Sequence, residues 1–165
     1  MAKVKHLQYI IVMAAVALGT SCRKEQANDI EPPVLEDTTH HQFKVGQKWR
    51  YTTRPHEPGS TLTILKIEAY EGEVIVHIAV SGLLMSSPGD AKPKDNIGHL
   101  PVAAYILESS VTTLAEKSVP LPDFKGGYRI WRKDFDKGQA GYFTAPVSKC
   151  VEVIEKGLNK GVRTL

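Results

Sequence analysis

Between Phe43 and Val80 the chain reads FKVGQKWRYTTRP, GSTLTILKIE and GEVIVHIAV, three apolar and aromatic runs broken by Pro55 to Gly59 and by Glu71-Gly72. Short runs of this kind, separated by turn residues, mark consecutive antiparallel strands. In the first run Trp49, Tyr51 and Thr53 fall on one face and Lys48, Arg50 and Thr52 on the other, the period of two of a half-buried strand. In the second, Thr61, Thr63, Leu65 and Ile67 oppose Leu62, Ile64, Lys66 and Glu68, and both faces begin apolar. The third is apolar except for His77, so the last two runs read as central strands covered on both sides. Every later element must pack against this meander.

Downstream, Gly82 to Asn96 holds Ser86, Ser87, Pro88, Gly89 and Pro93, which predicts an exposed loop of about 15 residues. After Pro101, the residues Ala103, Ile106, Leu107, Ser110 and Leu114 share one helical face, predicting a helix over Val102 to Lys117. The β-branched run Val111 to Thr113 lowers its propensity, and Val119-Pro-Leu-Pro122 must end it. Asp123 then caps a second helix, Lys125 to Lys137, whose aromatic stripe Tyr128, Trp131 and Phe135 belongs in the core. Tyr142 to Ala145 reads as an extended arm and Pro146 to Lys156 as a third helix. In that helix Val147, Cys150, Val151 and Ile154 recur at helical spacing, so Cys150 is a core thiol before it is a nucleophile. The expected fold class is α+β: an antiparallel β-meander of three to four strands followed by about three helices packed on one face.

The N-terminus carries Lys3 and Lys5, an apolar run from Tyr9 to Leu18, and small residues Gly19-Thr20-Ser21 leading to Cys22. The apolar run is too short to span a bilayer, which takes roughly 20 residues. The arrangement resembles a bacterial lipoprotein signal, of the loose Ser-Cys type found in Bacteroidota, with Gly19 where the family usually has Leu and Leu18 one step further back. That resemblance implies cleavage before Cys22, a diacylglycerol on its thiol and added fatty acid of the palmitate kind, hence a membrane partner through the anchor. Arg23 stands where an Asp would favour the inner membrane, so the resemblance implies the outer membrane. Residues 1–21 are then the signal, 22–41 a lipidated, disordered tether with Pro32-Pro33, 42–156 one domain, and 157–165 a frayed tail. The runs VGQKWRYTTRP, STLTILKIE, VIVHIAVSGL, GHLP and VPLPDF, over residues 43–155, resemble a family of small bacterial proteins without assigned function. It implies a domain boundary and no activity.

A net charge of +3 with no Lys/Arg run longer than two gives no footprint for nucleic acid. GxSxG, Walker-type, GxGxxG, HExxH and CxxC patterns are absent from the sequence. His56, His77 and His99 are three imidazoles that a zinc ion with an open position for water would need. Their separations of 21 and 22 residues place no two on one face by local spacing, and each has a plainer reading: turn, strand and pre-helix residue. Arg54, His56 and Glu57 form a candidate binding cluster with His77, because Arg takes a carboxylate in a bidentate fork. A plain hairpin connection fits them equally. His40-His41 lies in the tether, where it could bind a metal loosely but reads more plainly as a chance pair, and Asp90, Asp95 and Asn96 lack calcium-loop alternation. No metal and no cofactor is therefore assigned, and the catalytic residues are unknown. The reading favoured is an envelope lipoprotein, not an enzyme, whose domain binds a protein, peptide or glycan, immunity or inhibitor type included. The alternative is a small envelope hydrolase using His56, His77 and His99, with or without a metal.

Overall fold

The computed structural model describes residues 33–86 and 91–161. The signal stretch, Cys22, Arg23, Asp90 and residues 162–165 lie outside the described residues. The elements are β1 (Glu36–Asp37), β2 (Lys48–Tyr51), β3 (Thr61–Tyr70), β4 (Glu73–Met85), β5 (Lys94–Ala103), α1 (Ala104–Ser110), β6 (Val111–Glu116), α2 (Lys125–Phe135) and α3 (Val147–Gly161). The six strands form one antiparallel sheet ordered β5-β4-β3-β2-β6, with β1 also paired to β3. The fold class is α+β, with more strands than the sequence announces.

Two of the extra strands replace expected loop and helix. The loop expected from Gly82 begins only after Met85, because Leu83 and Met85 are each 1% exposed and extend β4 into the core. The helix expected over Val102 to Lys117 is cut to α1, flanked by β5 and β6. Val111-Thr112-Thr113 settle that outcome, since β-branched side chains lose rotamer freedom in a helix and fit a pleated surface. Pro101 inside β5 is tolerated because β5 is an edge strand. α3 runs on to Gly161, so the residues from Gly157 onward that were expected to fray are helical up to that point. Residues assigned to the tether also join the fold: Glu36 pairs with Ala69 and Asp37 with Glu68.

One sheet face carries Leu62, Ile64, Ile67, Val76, Ile78 and Val80, covered by Leu107 of α1 and by Val147, Cys150 and Val151 of α3. Each fully buried aliphatic contributes roughly 1.5–3 kcal/mol. The Cys150 thiol, wholly buried, donates to the Ala145 carbonyl at 3.2 Å, and burial raises its pKa to about 11. α2 takes the other face, where Trp131 and Phe135 pack on Ile75. The helices thus divide between the faces, α1 and α3 on one and α2 on the other.

The connection through α1 requires a curled sheet. Ala103 lies opposite Ile75, and Val111 lies opposite Tyr51. On a flat sheet, with strands about 4.8 Å apart and residues about 3.3 Å apart, those ends would be roughly 30 Å distant. A seven-residue helix rises only about 10 Å. Register shifts between Ile64 and Lys66, between Ile78 and Val80 and between Ser81 and Met85 supply bends of the kind that bulges give.

Candidate functional site

The face under α2 carries an array of polar side chains, and a bulge places it there. Between Ile64 and Lys66 the pairing of β3 slips by one residue, leaving Leu65 as the extra residue. Strict alternation groups Leu65 and Ile67 against Lys66 and Glu68. After the slip, Lys66 lies opposite His77 and Glu68 opposite Ile75, on the α2 face with Thr63. On β5, His99 stands two residues before Pro101, the partner of His77, so it shares that face. Glu68, His77 and His99 therefore run across three adjacent strands.

Their contacts are close. His77 Nδ1 and His99 Nε2 are 2.9 Å apart. His77 Nε2 lies 2.9 Å from Glu68 Oε2, at hydrogen-bond distance but without the in-line alignment of a good hydrogen bond. A carboxylate only accepts, so Nε2 of His77 carries the ring proton, Nδ1 accepts, and His99 Nε2–H donates to it. Glu68 also accepts from the Tyr128 hydroxyl at 2.9 and 3.1 Å and lies 2.9 Å from Lys66 Nζ. Lys66 in turn meets Asp37 of β1 and stands 5.7 Å from the Tyr128 ring centroid. The rings of Tyr128 and Trp131 meet His77 edge-on at 5.4 and 4.8 Å.

These partners determine the protonation states. Burial by itself would raise the Glu68 carboxyl, but the close contacts with His77, Lys66 and Tyr128 together outweigh it and hold the group at about 2. Burial, then the neighbouring His77, lowers His99 to about 4, and burial lowers His77 despite Glu68. Both imidazoles are neutral at pH 7. Burial, then the hydrogen bond to Glu68, raises Tyr128 to about 12.

His99 opens from this array into a cleft of about 480 Å³, lined with it by Phe124, Ile130, Trp131, Asp134 and Phe143. A second cleft of about 560 Å³ is bounded by Lys48, Thr63, Ser81, Asn96 and the Pro120–Pro122 arm. The two share Gly98 and Asp123, and so flank that arm as neighbouring troughs. The lining of the His99 cleft contains no serine, threonine or cysteine. It offers apolar surface, one neutral imidazole and two carboxylates. α2 reaches His99 because Gly127 has no side chain: a Cβ there would sit 3.0 Å from His99 Cβ.

The other site residues named from the sequence gather elsewhere. Arg54 is 5% exposed and grips Glu57 as a fork, through Nε at 2.7 Å to Oε2 and through Nη2 to Oε1. Its Nη1 reaches Glu155 of α3, and Glu57 Oε1 also accepts the Leu84 N–H at 2.5 Å. Glu155 accepts the Ser86 N–H at 2.6 Å. The cluster ties the β2–β3 turn, the end of β4 and α3 together. Its hydrogen-bonding groups point at one another. His56 stands at its edge with its side chain 57% exposed, 4.0 Å from Glu57. Leu84 is seven residues along β4 from His77, roughly 20 Å in an extended strand. The structure therefore brings His77 and His99 together and leaves His56 apart, so these three do not form a metal site, and Arg54 and Glu57 do not join His77. Glu68 was hidden by the unseen bulge, and Glu155 is separated from Arg54 by 101 residues. Only the aromatic stripe of α2 signalled Tyr128. Among the described residues no helix is long and apolar enough to cross a membrane. Compared with family models, with curated proteins and with solved structures, the chain finds no match.

Proposed function

We propose that the protein is an outer-membrane envelope lipoprotein anchored through Cys22, and that its domain is a binding module taking a protein, peptide or glycan in the clefts along β5. The observation that carries the binding reading is the state of His99. It lines a cleft of about 480 Å³ whose lining holds no serine, threonine or cysteine, and burial holds it neutral with a pKa of about 4. A general base works best with a pKa near the working pH. Neutral His99, the apolar walls and Asp134 are the equipment of recognition, a mostly apolar concavity with a few placed polar groups.

The hydrolase reading keeps one observation in its favour, the Glu68–His77–His99 contact, and has lost His56 from its set. Photo-crosslinking from the full chain in its own cells tests the binding reading. A photoreactive residue at Ile130, 69% exposed and lining the His99 cleft, is expected to trap a discrete adduct. One at Val153, 58% exposed and lining neither cleft, is expected to trap none. No adduct at 130, or the same adducts at both positions, would overturn the binding reading.

A further inference from the structure

His40 and His41 sit just before the apolar anchor Phe43, and Glu108 projects from α1, 67 residues further along. The fold draws their donor atoms together. Glu108 Oε1 is 3.3 Å from His40 Nε2 and 3.4 Å from His41 Nε2, and all three atoms lie within 4.8 Å of one another. Those separations exceed the 2.7–3.2 Å usual for an N–H···O bond. They match the edge of a coordination tetrahedron, since bonds of about 2.0–2.1 Å put neighbouring ligands roughly 3.3–3.4 Å apart.

We propose that His40, His41 and Glu108 form a site for a divalent transition-metal ion of the zinc class, with a fourth position open to water. Two imidazoles and one carboxylate suit such an ion better than calcium or magnesium, which take oxygen ligands. The site is partly preorganised. The His40 side chain is 10% exposed and its ring stacks on Phe43 at 5.1 Å with planes 19° apart. Glu108 is carried on a helix, and the exposed His41 can swing to complete the set. Coordination also has a local cost. His40 Nδ1 takes long contacts from the N–H groups of Gln42 and Phe43, at 3.3 and 3.4 Å. Ligation moves the ring proton to Nδ1 and opens them, which keeps affinity below that of a closed structural site. A bound ion would pin the residues leading into the domain onto α1, independently of the cleft at His99.

The test uses the full chain in detergent without a histidine tag. Cobalt(II) is expected to give the visible bands of a four-coordinate ion, and zinc to bleach them. Glu108→Gln and His41→Ala are each expected to weaken cobalt binding by about tenfold or more while the metal-free melting curve stays in place, because both side chains are at the surface. Zinc added to the wild-type chain should shift the ring resonances of His40 and His41 and leave His56 and His99 unmoved. Absent cobalt bands at millimolar metal, unchanged affinity in either variant, or zinc shifts at His56 or His99 instead would each overturn the proposal.

Discussion

Glu68 shows how a single residue can be chemically prominent and invisible in the sequence. The residue is 2% exposed yet its carboxylate has three side-chain partners, and it stays charged because they outweigh its burial. His77 and His99 were legible as candidates from residue type alone. Their contact was not, because it depends on strand register. The lowered His99 pKa has a sign that can be checked. In the unfolded chain a histidine takes its proton near 6.5, whereas folded His99 resists until about 4. The unfolded state therefore binds more protons in that window, and stability must fall as pH drops from about 6.5 to about 4. Urea titrations at stepped pH should show this slope, and His99→Gln should reduce it without abolishing it, since His77 is lowered too. An unchanged slope would contradict the assignment. At the second cluster, Arg54→Ala strands the Glu57 side chain, which is 0% exposed, as an unpaired buried charge. A loss of about 3–5 kcal/mol is expected in urea unfolding, against less for Arg54→Lys, which keeps the charge but not the fork.

At the scale of elements, β2, β3, β4, α2 and α3 follow from periodicity and turn residues, and the misreadings have physical causes. β6 was taken into a helix because Leu114 falls at helical spacing from Ser110 and Leu107, while Val111 to Thr113 prefer a strand. The Gly82 region was taken as a loop on its composition. In fact Gly82 adopts φ +74° where β4 passes the β2–β3 turn, and a Cβ there would come 3.3 Å from Ser60 Cα. The docking of α2 gives a sharper test. Gly127→Ala should fall about 1–3 kcal/mol short of Gly126→Ala in stability, because both gain helix propensity but only the Cβ at 127 crowds His99, at 3.0 Å from its Cβ. Adding His99→Ala should recover part of that loss in a double-mutant cycle; strict additivity would mean that the helix does not bear on His99 there.

For the whole molecule, an α+β fold was readable in the sequence, whereas the curl of the sheet and the division of helices between its faces depend on long-range pairing. The lipoprotein reading rests on residues 1–22 alone, and labelling tests it separately from the domain. An alkyne-tagged fatty acid should enter the full chain, and Cys22→Ala should abolish incorporation and release the protein from membranes; label persisting in Cys22→Ala would refute the anchor. The central claim is that the imidazole lining the cleft is a fixed, neutral recognition group and not a proton-transfer catalyst. The most direct measurement is a pH titration of the His99 ring nitrogens by ¹⁵N NMR. The expected result is a neutral Nε2–H tautomer at pH 7 that protonates only near pH 4. Titration between pH 6 and 7, or an Nδ1–H tautomer at neutral pH, would contradict it and return His99 to candidacy as a general base.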